Sequence, residues 1–388
     1  MITPPTRRFF VGLAAVAILA AACSTPGASS SPAASEPAAS APAASEPAVS
    51  PSAEAMTYKI AYSNAGGVGN GFREEQVCTA KAEATASGQV SEFTYIHQNT
   101  DTPGQLADLR TLIAAAPDAI VFNPNDPAAL NPALDEAQAA GIKTIAVDQY
   151  VTDPETYMLF NNQKEYAYLG AKWLFDKLGG KGKVYNMRGF AGAGADTDRQ
   201  EGFLKALAEN PGIEVVPSVD GEHTQWDSGK TTELINNFIS SGQYDDIQGI
   251  WTSGMDIEVV DAIKAAKKPF VPIVGTDRGG FVKALLDPTN YPGLDGAAVT
   301  NTAAVGGAGV ALALKLLSGE KVETAPDAAQ PNTVLLKPVI ADNASDAGKT
   351  TLQSWLVDGL DPSWPLGLQI EGYTHYTPEQ AIKCEDPK

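Results

Sequence analysis

Planar side chains with several hydrogen-bonding groups follow many of the predicted strands in this sequence. They are mainly arginine, aspartate and asparagine, with two aromatic residues beside them: Asn70, Phe72, Arg73, Asp148, Arg199, Trp226, Asp277 and Asn301. Carboxylate, guanidinium and amide groups form charge-assisted bonds with neighbouring hydroxyls. An aromatic ring covers an apolar C–H face. The set therefore predicts a binding site for a small molecule that carries several hydroxyl groups.

Each of these residues also has a structural interpretation that the sequence leaves open. Asp148 and Asp277 stand where aspartate often caps the next helix. Arg199 lies in a predicted helix, where it could form a surface ion pair. Trp226 could belong to the core, although its polar neighbours Gln225 and Asp227 favour a pocket wall.

Motifs for catalysis do not accompany these residues. The sequence contains no Walker loop and no Gly-x-Ser-x-Gly elbow, and no nucleophile–base pair is evident. Gly67 and Gly69 weakly resemble a dinucleotide fingerprint, but Phe72 takes the place of its third glycine. Three histidines and three cysteines are too scattered for a structural zinc site. We therefore expect a binding protein rather than an enzyme, with no metal and no cofactor.

The composition narrows the class of partner. The chain has 388 residues and a net charge of −19, with 46 acidic against 27 basic residues. This excess of acid argues against nucleic-acid binding, which needs basic surfaces. The length corresponds to two or three units of about 150 residues, enough to bury a core without metals.

Strands alternate with helices of 10–15 residues from Met56 onward, which predicts an α/β protein with parallel sheets. The rhythm restarts near the middle of the chain, so we expect two doubly wound lobes. The predicted strands are Tyr58–Tyr62, Glu92–His97, Asp118–Phe122, Lys143–Val147, Lys183–Met187, Ile213–Pro217, Gly249–Trp251, Phe270–Gly275 and Gly296–Thr300. Ligands of such sheets bind beyond the carboxyl ends of the strands, where the polar set lies.

The first 55 residues read as an export and anchoring segment. Residues 1–22 have a basic start and a short apolar run, as in an export signal. Leu19 to Cys23 resemble a bacterial lipobox, in which the cysteine is lipidated. Residues 24–55 are almost wholly Ala, Ser, Pro and Glu, a composition typical of a disordered tether. The pair Arg7-Arg8 leaves twin-arginine and ordinary secretion equally open.

Two further cysteines, Cys78 and Cys384, remain in the exported part. Outside the cytoplasm such a pair tends to oxidise, so we expect a disulfide that joins the C-terminal tail to the first helix. The alternative is two free, buried thiols.

Five ordered motifs give the chain a family resemblance over residues 57–325. It resembles the ribose-binding, type I periplasmic binding family, the substrate-binding lipoproteins of bacterial sugar ABC transporters. The motifs are Tyr62-Ser63-Asn64, Phe122-Asn123-Pro124, Ile145-Ala146-Val147-Asp148, Arg199-Gln200-Glu201-Gly202-Phe203 and Val274-Gly275-Thr276-Asp277.

The resemblance implies roles for the polar set. It makes Asp148 and Asp277 acceptors of sugar hydroxyls, Arg199 their partner from the other lobe, and Asn301 an amide contact. It places Trp226 and Phe72 at stacking positions and Asn70 and Arg73 in the first loop. Two departures stand out: Gln149 replaces an arginine, and Met255 replaces an asparagine, so Ser253 or Asp256 would serve instead.

The resemblance also implies a domain division, with a hinge of three crossing segments. We expect an N-terminal lobe at 56–161, a C-terminal lobe at 162–300, a return at 301–331 and a C-terminal segment at 332–388. The crossings are predicted at Phe160–Gln163, Thr300–Thr302 and Pro331–Val334.

The function implied is that of a monomeric receptor on the outer face of the cell membrane, anchored by a lipid on Cys23. It would bind a monosaccharide or related polyol between its lobes and deliver it to the permease subunits of an ABC importer. The alternative is a receptor that presents its ligand to a membrane kinase or chemoreceptor.

Overall fold

The structure is a computed structural model that describes residues 56–65, 68–326 and 328–387. The predicted export signal at 1–22, the lipidation site Cys23 and the predicted tether at 24–55 lie outside the described residues. Among the described residues, no helix combines the length and apolar character needed to cross a membrane.

The first lobe is built on a six-stranded sheet with the strand order β12-β5-β4-β3-β1-β2. Every neighbouring pair in it is parallel. Its strands are β1 (Tyr58–Ala65), β2 (Val90–Gln98), β3 (Ala119–Asn123), β4 (Lys143–Val147), β5 (Tyr157–Asn161) and β12 (Thr333–Leu336).

Helices cover both faces of this sheet because alternate side chains of each strand point to opposite faces. Ile60 and Tyr62 pack against α1 (Gly71–Ala86) and α9 (Val305–Leu317). Ala61, between them, packs on the other face, against α2 (Thr102–Ala114) and α3 (Asn131–Ala139).

The second lobe contains a seven-stranded sheet with the order β13-β11-β10-β9-β6-β7, and β8 pairs with β6. Its strands are β6 (Lys181–Arg188), β7 (Gly212–Val216), β8 (Glu222–His223), β9 (Gly249–Thr252), β10 (Ile273–Thr276), β11 (Gly296–Val299) and β13 (Ile340–Asp342). One face carries α4 (Gln163–Lys177) and α5 (Gly194–Ala208). The other carries α6 (Ser228–Ser240), α7 (Asp256–Ala265), α8 (Gly279–Leu285) and α10 (Asp346–Trp355).

The predicted α/β fold with two doubly wound lobes is therefore confirmed. One strand departs from the parallel pattern, because β13 pairs with β11 antiparallel. Only three residues separate β13 from β12 in the other sheet.

Three crossing segments join the lobes, and the predicted position of the third was wrong. The chain crosses at Asn162 between β5 and α4, and again at 300–304 between β11 and α9. The third crossing was predicted at Pro331–Val334 but lies at 337–339. Thr333 and Val334 belong to β12, which pairs with β5 and buries both residues in the first lobe.

After α10 the chain runs from the second lobe back to the first, over a segment we call the strap (residues 361–386). It contains α11 (Pro378–Lys383), next to α1. The predicted disulfide is present and joins Cys78 of α1 to Cys384. The strap thus forms a connection between the lobes in addition to the three crossings.

Candidate ligand-binding site

A cavity of about 260 Å³ lies where the carboxyl ends of the two sheets face each other. Both lobes and the strap line it. The polar and aromatic lining residues are Asn70, Phe72, Arg73, Asp148 and Gln149 from the first lobe, Gln163, Arg199, Trp226, Ser228, Ser253, Thr276, Arg278 and Asn301 from the second lobe and the crossings, and Ser363 from the strap, which also contributes Pro365.

Asp148 directly follows β4 and reaches the cavity from a left-handed backbone conformation with φ of 68°. Such a conformation is uncommon for a residue other than glycine and occurs often at functional sites. Its Oδ2 accepts a hydrogen bond from Asn123 Nδ2 at 3.0 Å and lies 3.7 Å from Arg73 Nη2. Asn123 is the one hydrogen-bond donor to the Asp148 side chain among the described residues, so Oδ1 is available to a ligand.

The charge of Asp148 depends on two opposing effects. Burial raises its pKa, while the guanidinium groups of Arg73 and Arg199 lower it. These arginines come from different lobes, so both lobes contribute positive charge near the same carboxylate.

The start of α1 brings three of the predicted residues into the wall. Asn70 caps the helix, and its Oδ1 accepts from the backbone N–H groups of Phe72 and Arg73 at 3.1 and 3.3 Å. The Asn70 oxygen is thus occupied by the helix rather than by a ligand. Phe72 and Arg73 line the cavity.

Arg199 is only 4% exposed, so it is not a surface residue in an ion pair. Its Nε donates to Gln163 Oε1 at 2.8 Å, and its Nη1 donates to the carbonyl and hydroxyl of Ser253 at 2.8 and 3.1 Å. The Tyr166 ring centroid lies 4.4 Å from the guanidinium carbon. Its Nη2 has no acceptor among the described residues, so two N–H bonds remain for a ligand.

Trp226 is half-buried and lines the cavity. Its Nε1 donates to the Ser253 carbonyl at 2.6 Å, and its ring centroid is 5.6 Å from the Arg199 guanidinium carbon. A Cβ on Gly189 would lie 2.2 Å from the indole. Glycine is therefore required there for the indole to pack flat beside the arginine.

Asp277 does not reach the cavity, contrary to the prediction. It is fully buried, and its oxygens accept from the backbone N–H groups of Asn301 at 2.9 Å and Gly367 at 3.1 Å. Asn301 does line the cavity, and its Oδ1 accepts from Gln163 Nε2 at 3.0 Å.

Ser253 and Asp256 were both candidates to take the role of the family asparagine that Met255 replaces, and the structure distinguishes between them. Ser253 lines the cavity. Asp256 is fully buried behind the wall, where Thr252 and Thr276 donate their hydroxyls to it.

Three contributions to the wall were not among the predicted site residues. Gln163 was assigned only to a crossing. Arg278 follows Asp277 in the same turn, and its Nη1 lies 3.0 Å from Glu258 Oε2. The strap residues carried no signal, since they lie beyond the family resemblance.

The described residues contain no group of three or more His, Cys, Asp or Glu side chains able to hold a metal ion. The cavity instead presents fixed donors, fixed acceptors and two aromatic rings. Such a wall can hold a hydroxylated molecule in one orientation.

The chain belongs to the family described as periplasmic binding protein domain, whose model matches residues 60–321. The family consists of binding proteins that act outside the cytoplasm.

Two curated relatives are 26–28% identical to this chain over the aligned residues. The xylitol-binding protein of Mycolicibacterium smegmatis is 28% identical over 239 residues, or 61% of this chain and 66% of the relative. The ribose import binding protein of Bacillus subtilis is 26% identical over 186 residues, which are 47% of this chain and 58% of the relative. The chain thus spans less than two thirds of either relative.

A solved structure has the same fold. The ABC transporter solute binding protein from Thermobispora bispora aligns with a TM-score of 0.65 at 23% identity, over 79% of this chain and 90% of that chain.

The buried carboxylate behind the wall generates a pH prediction. Burial raises the pKa of Asp256 to about 6, above the unfolded value, so the folded state binds the extra proton between about pH 4 and 6. Stability from this group is present at low pH and is lost as pH rises through that window. Asp256→Asn removes the contribution of this group, whereas that of Asp277, whose pKa burial also raises to about 6, remains. The stability of the wild type minus that of the variant should therefore fall by about 2–3 kcal/mol from pH 4 to 7.

Urea unfolding at several pH values measures this difference. Asp245→Asn is the control, because the side chain of Asp245 is 59% exposed. Parallel stability curves for the wild type and Asp256→Asn would contradict the assignment.

Proposed function

We propose that this protein is an extracytoplasmic solute receptor that binds a monosaccharide or related polyol between its lobes and passes it to an ABC importer. The observation that carries the proposal is that Asp148 Oδ1 and Arg199 Nη2 are both available to a ligand in the same cavity. One is an acceptor from the first lobe and the other a donor from the second, and neither is occupied by the described residues.

The wall suits hydroxyl groups better than a purely apolar or ionic ligand. Asp148 and Gln149 supply acceptors, Arg73, Arg199 and the side-chain N–H groups of Asn301 supply donors, and all five residues line the cavity. Polar groups arranged for hydroxyls reject a ligand that lacks them, because an unmatched buried group costs about 1–3 kcal/mol.

The aromatic residues and the volume favour a single small ring or a short polyol. Phe72 and Trp226 offer flat faces on the two lobes. The volume of about 260 Å³ is slightly below the range of about 300–1,000 Å³ for pockets that hold drug-sized ligands. The names of the curated relatives, a xylitol-binding and a ribose import binding protein, point to the same chemical class.

Closure of the lobes about the crossings at 162, 300–304 and 337–339 would bring the two halves of the wall together. We propose the lobes as 56–161 and 162–300, with 301–331 and β12 returning to the first lobe and later residues forming the C-terminal segment. The closed form would be the one that a permease recognises, and the receptor would act as a monomer. The alternative role as a sensor for a kinase or chemoreceptor has less support.

A thermal-shift screen of the domain from Met56 onward tests the ligand class. A ligand that binds only the folded state raises the melting temperature by mass action. We expect at least one pentose, hexose, pentitol or cyclitol to raise it, with nucleosides and amino acids inactive. The protein is first stripped of carried-over ligand under denaturant, and a flat result with refolded protein would contradict the proposal.

Removal of either Asp148 or Arg199, which face the cavity from opposite lobes, should weaken binding of the ligand that the screen identifies. Arg199→Ala and Asp148→Ala are each expected to cost about 2–5 kcal/mol, because the partners they leave are buried and unmatched. Isothermal titration calorimetry measures the loss. The matched controls are Arg110→Ala and Asp245→Ala, whose side chains are 48% and 59% exposed. Near-normal affinity in both cavity variants would show that Arg199 and Asp148 do not bind the ligand.

The proposed anchor is a lipid on Cys23, with the residues up to 55 as its tether. In the full-length protein expressed in a bacterial host, Cys23→Ser should move the protein from the membrane fraction to the soluble exported fraction. Immunoblots of both fractions and mass spectrometry of the mature N-terminus measure this. Release of the wild type without lipid would contradict the anchor while leaving the binding function intact.

A further inference from the structure

The strap supplies part of the cavity wall although it lies outside the matched family domain. That domain ends at residue 321, whereas Ser363 and Pro365 line the cavity. Ser363 Oγ donates to Asp361 Oδ1 at 2.7 Å. The serine oxygen keeps its lone pairs free to accept a bond from a ligand hydroxyl.

The first part of the strap is fixed to the second lobe by backbone hydrogen bonds. Gly279 and Gly280 at the start of α8 donate to the carbonyls of Trp364 and Pro362, each at 2.9 Å. Leu366 N–H donates to the Asp277 carbonyl at 2.9 Å.

Ser363 also touches the first lobe. A Cβ on Gly71, the first residue of α1, would lie 2.6 Å from Ser363 Oγ and 2.7 Å from Trp364 Cδ1. The strap therefore packs directly on the helix start that presents Phe72 and Arg73 to the cavity.

The second part of the strap is fixed to the body of α1. Cys384 is bonded to Cys78, and Asp386 Oδ1 lies 2.8 Å from Lys81 Nζ. The buried carboxylate of Glu83 accepts from the His375 N–H at 2.7 Å. The strap is thus held at both ends, and the part that lines the cavity cannot withdraw without breaking one of these attachments.

We propose that the strap sets the size limit of the ligand, that Ser363 is a specificity-determining residue, and that the Cys78–Cys384 disulfide holds this wall in place. This inference rests on the proposed function. A wall fixed at both ends admits one monosaccharide or short polyol, discriminates between ligands that differ by one CH–OH unit, and excludes disaccharides.

The test compares Ser363→Leu with Ser354→Leu, the same change on α10 at an exposed serine away from the cavity. Calorimetry with xylitol, sorbitol, ribose, glucose and a disaccharide gives the selectivity of each protein. Overpacking at the wall should weaken the larger of the bound ligands about ten- to hundredfold more than the smaller. Ser354→Leu should match the wild type.

Cys384→Ser removes the covalent attachment of the strap to α1 without adding volume, so it covers the case in which Ser363→Leu does not fold. We expect its selectivity between five- and six-carbon ligands to shrink. The amides of Leu366 and Gly367 should exchange with deuterium faster than in the oxidised wild type, with or without ligand. Circular dichroism confirms that each variant is folded.

The outcomes separate the two proposals. A wild type that binds nothing in the panel overturns the proposed function and this inference with it. A wild type that binds, together with Ser363→Leu or Cys384→Ser of unchanged selectivity, overturns the strap inference alone.

Discussion

A continuous series of hydrogen bonds from the cavity to the strap is the interaction on which the arrangement of this protein depends. Arg199 Nε donates to Gln163, and Gln163 Nε2 donates to Asn301 Oδ1. The N–H groups of Asn301 and Gly367 then donate to the two oxygens of Asp277. Gln163 and Asn301 lie at the first two crossings. One network therefore fixes the ligand-facing arginine, two crossings and the strap relative to each other.

The network also explains how a buried cation is tolerated. Arg199 forms no salt bridge with a carboxylate among the described residues, and burial of an unpaired charge is costly. Three hydrogen bonds to Gln163 and Ser253 and the face of the Tyr166 ring replace part of its hydration. The charge of Asp148 across the cavity offsets more of the cost, since each group acts on the other through the same low-dielectric space. A ligand hydroxyl between them would complete the hydrogen bonding of both.

The architecture could be predicted from the sequence because it depends on local patterns. The alternation of short apolar runs with helices is visible in one chain, and β4 has the predicted bounds. The third crossing was misplaced because β12 is only four residues long. Whether so short a run pairs with β5 or links two lobes depends on tertiary packing, which a short apolar pattern cannot show.

The site was harder to predict, because the residues that follow a strand do not all face the same way. Asp277 and Arg278 are neighbours in one turn, yet only Arg278 lines the cavity. Asp277 instead accepts backbone N–H groups from segments 24 and 90 residues away in the chain. Those donors can be identified only once the crossing and the strap are in place. The sequence thus identifies the turn that serves the site, while long-range hydrogen bonds decide which of its residues meets the ligand and which supports the wall.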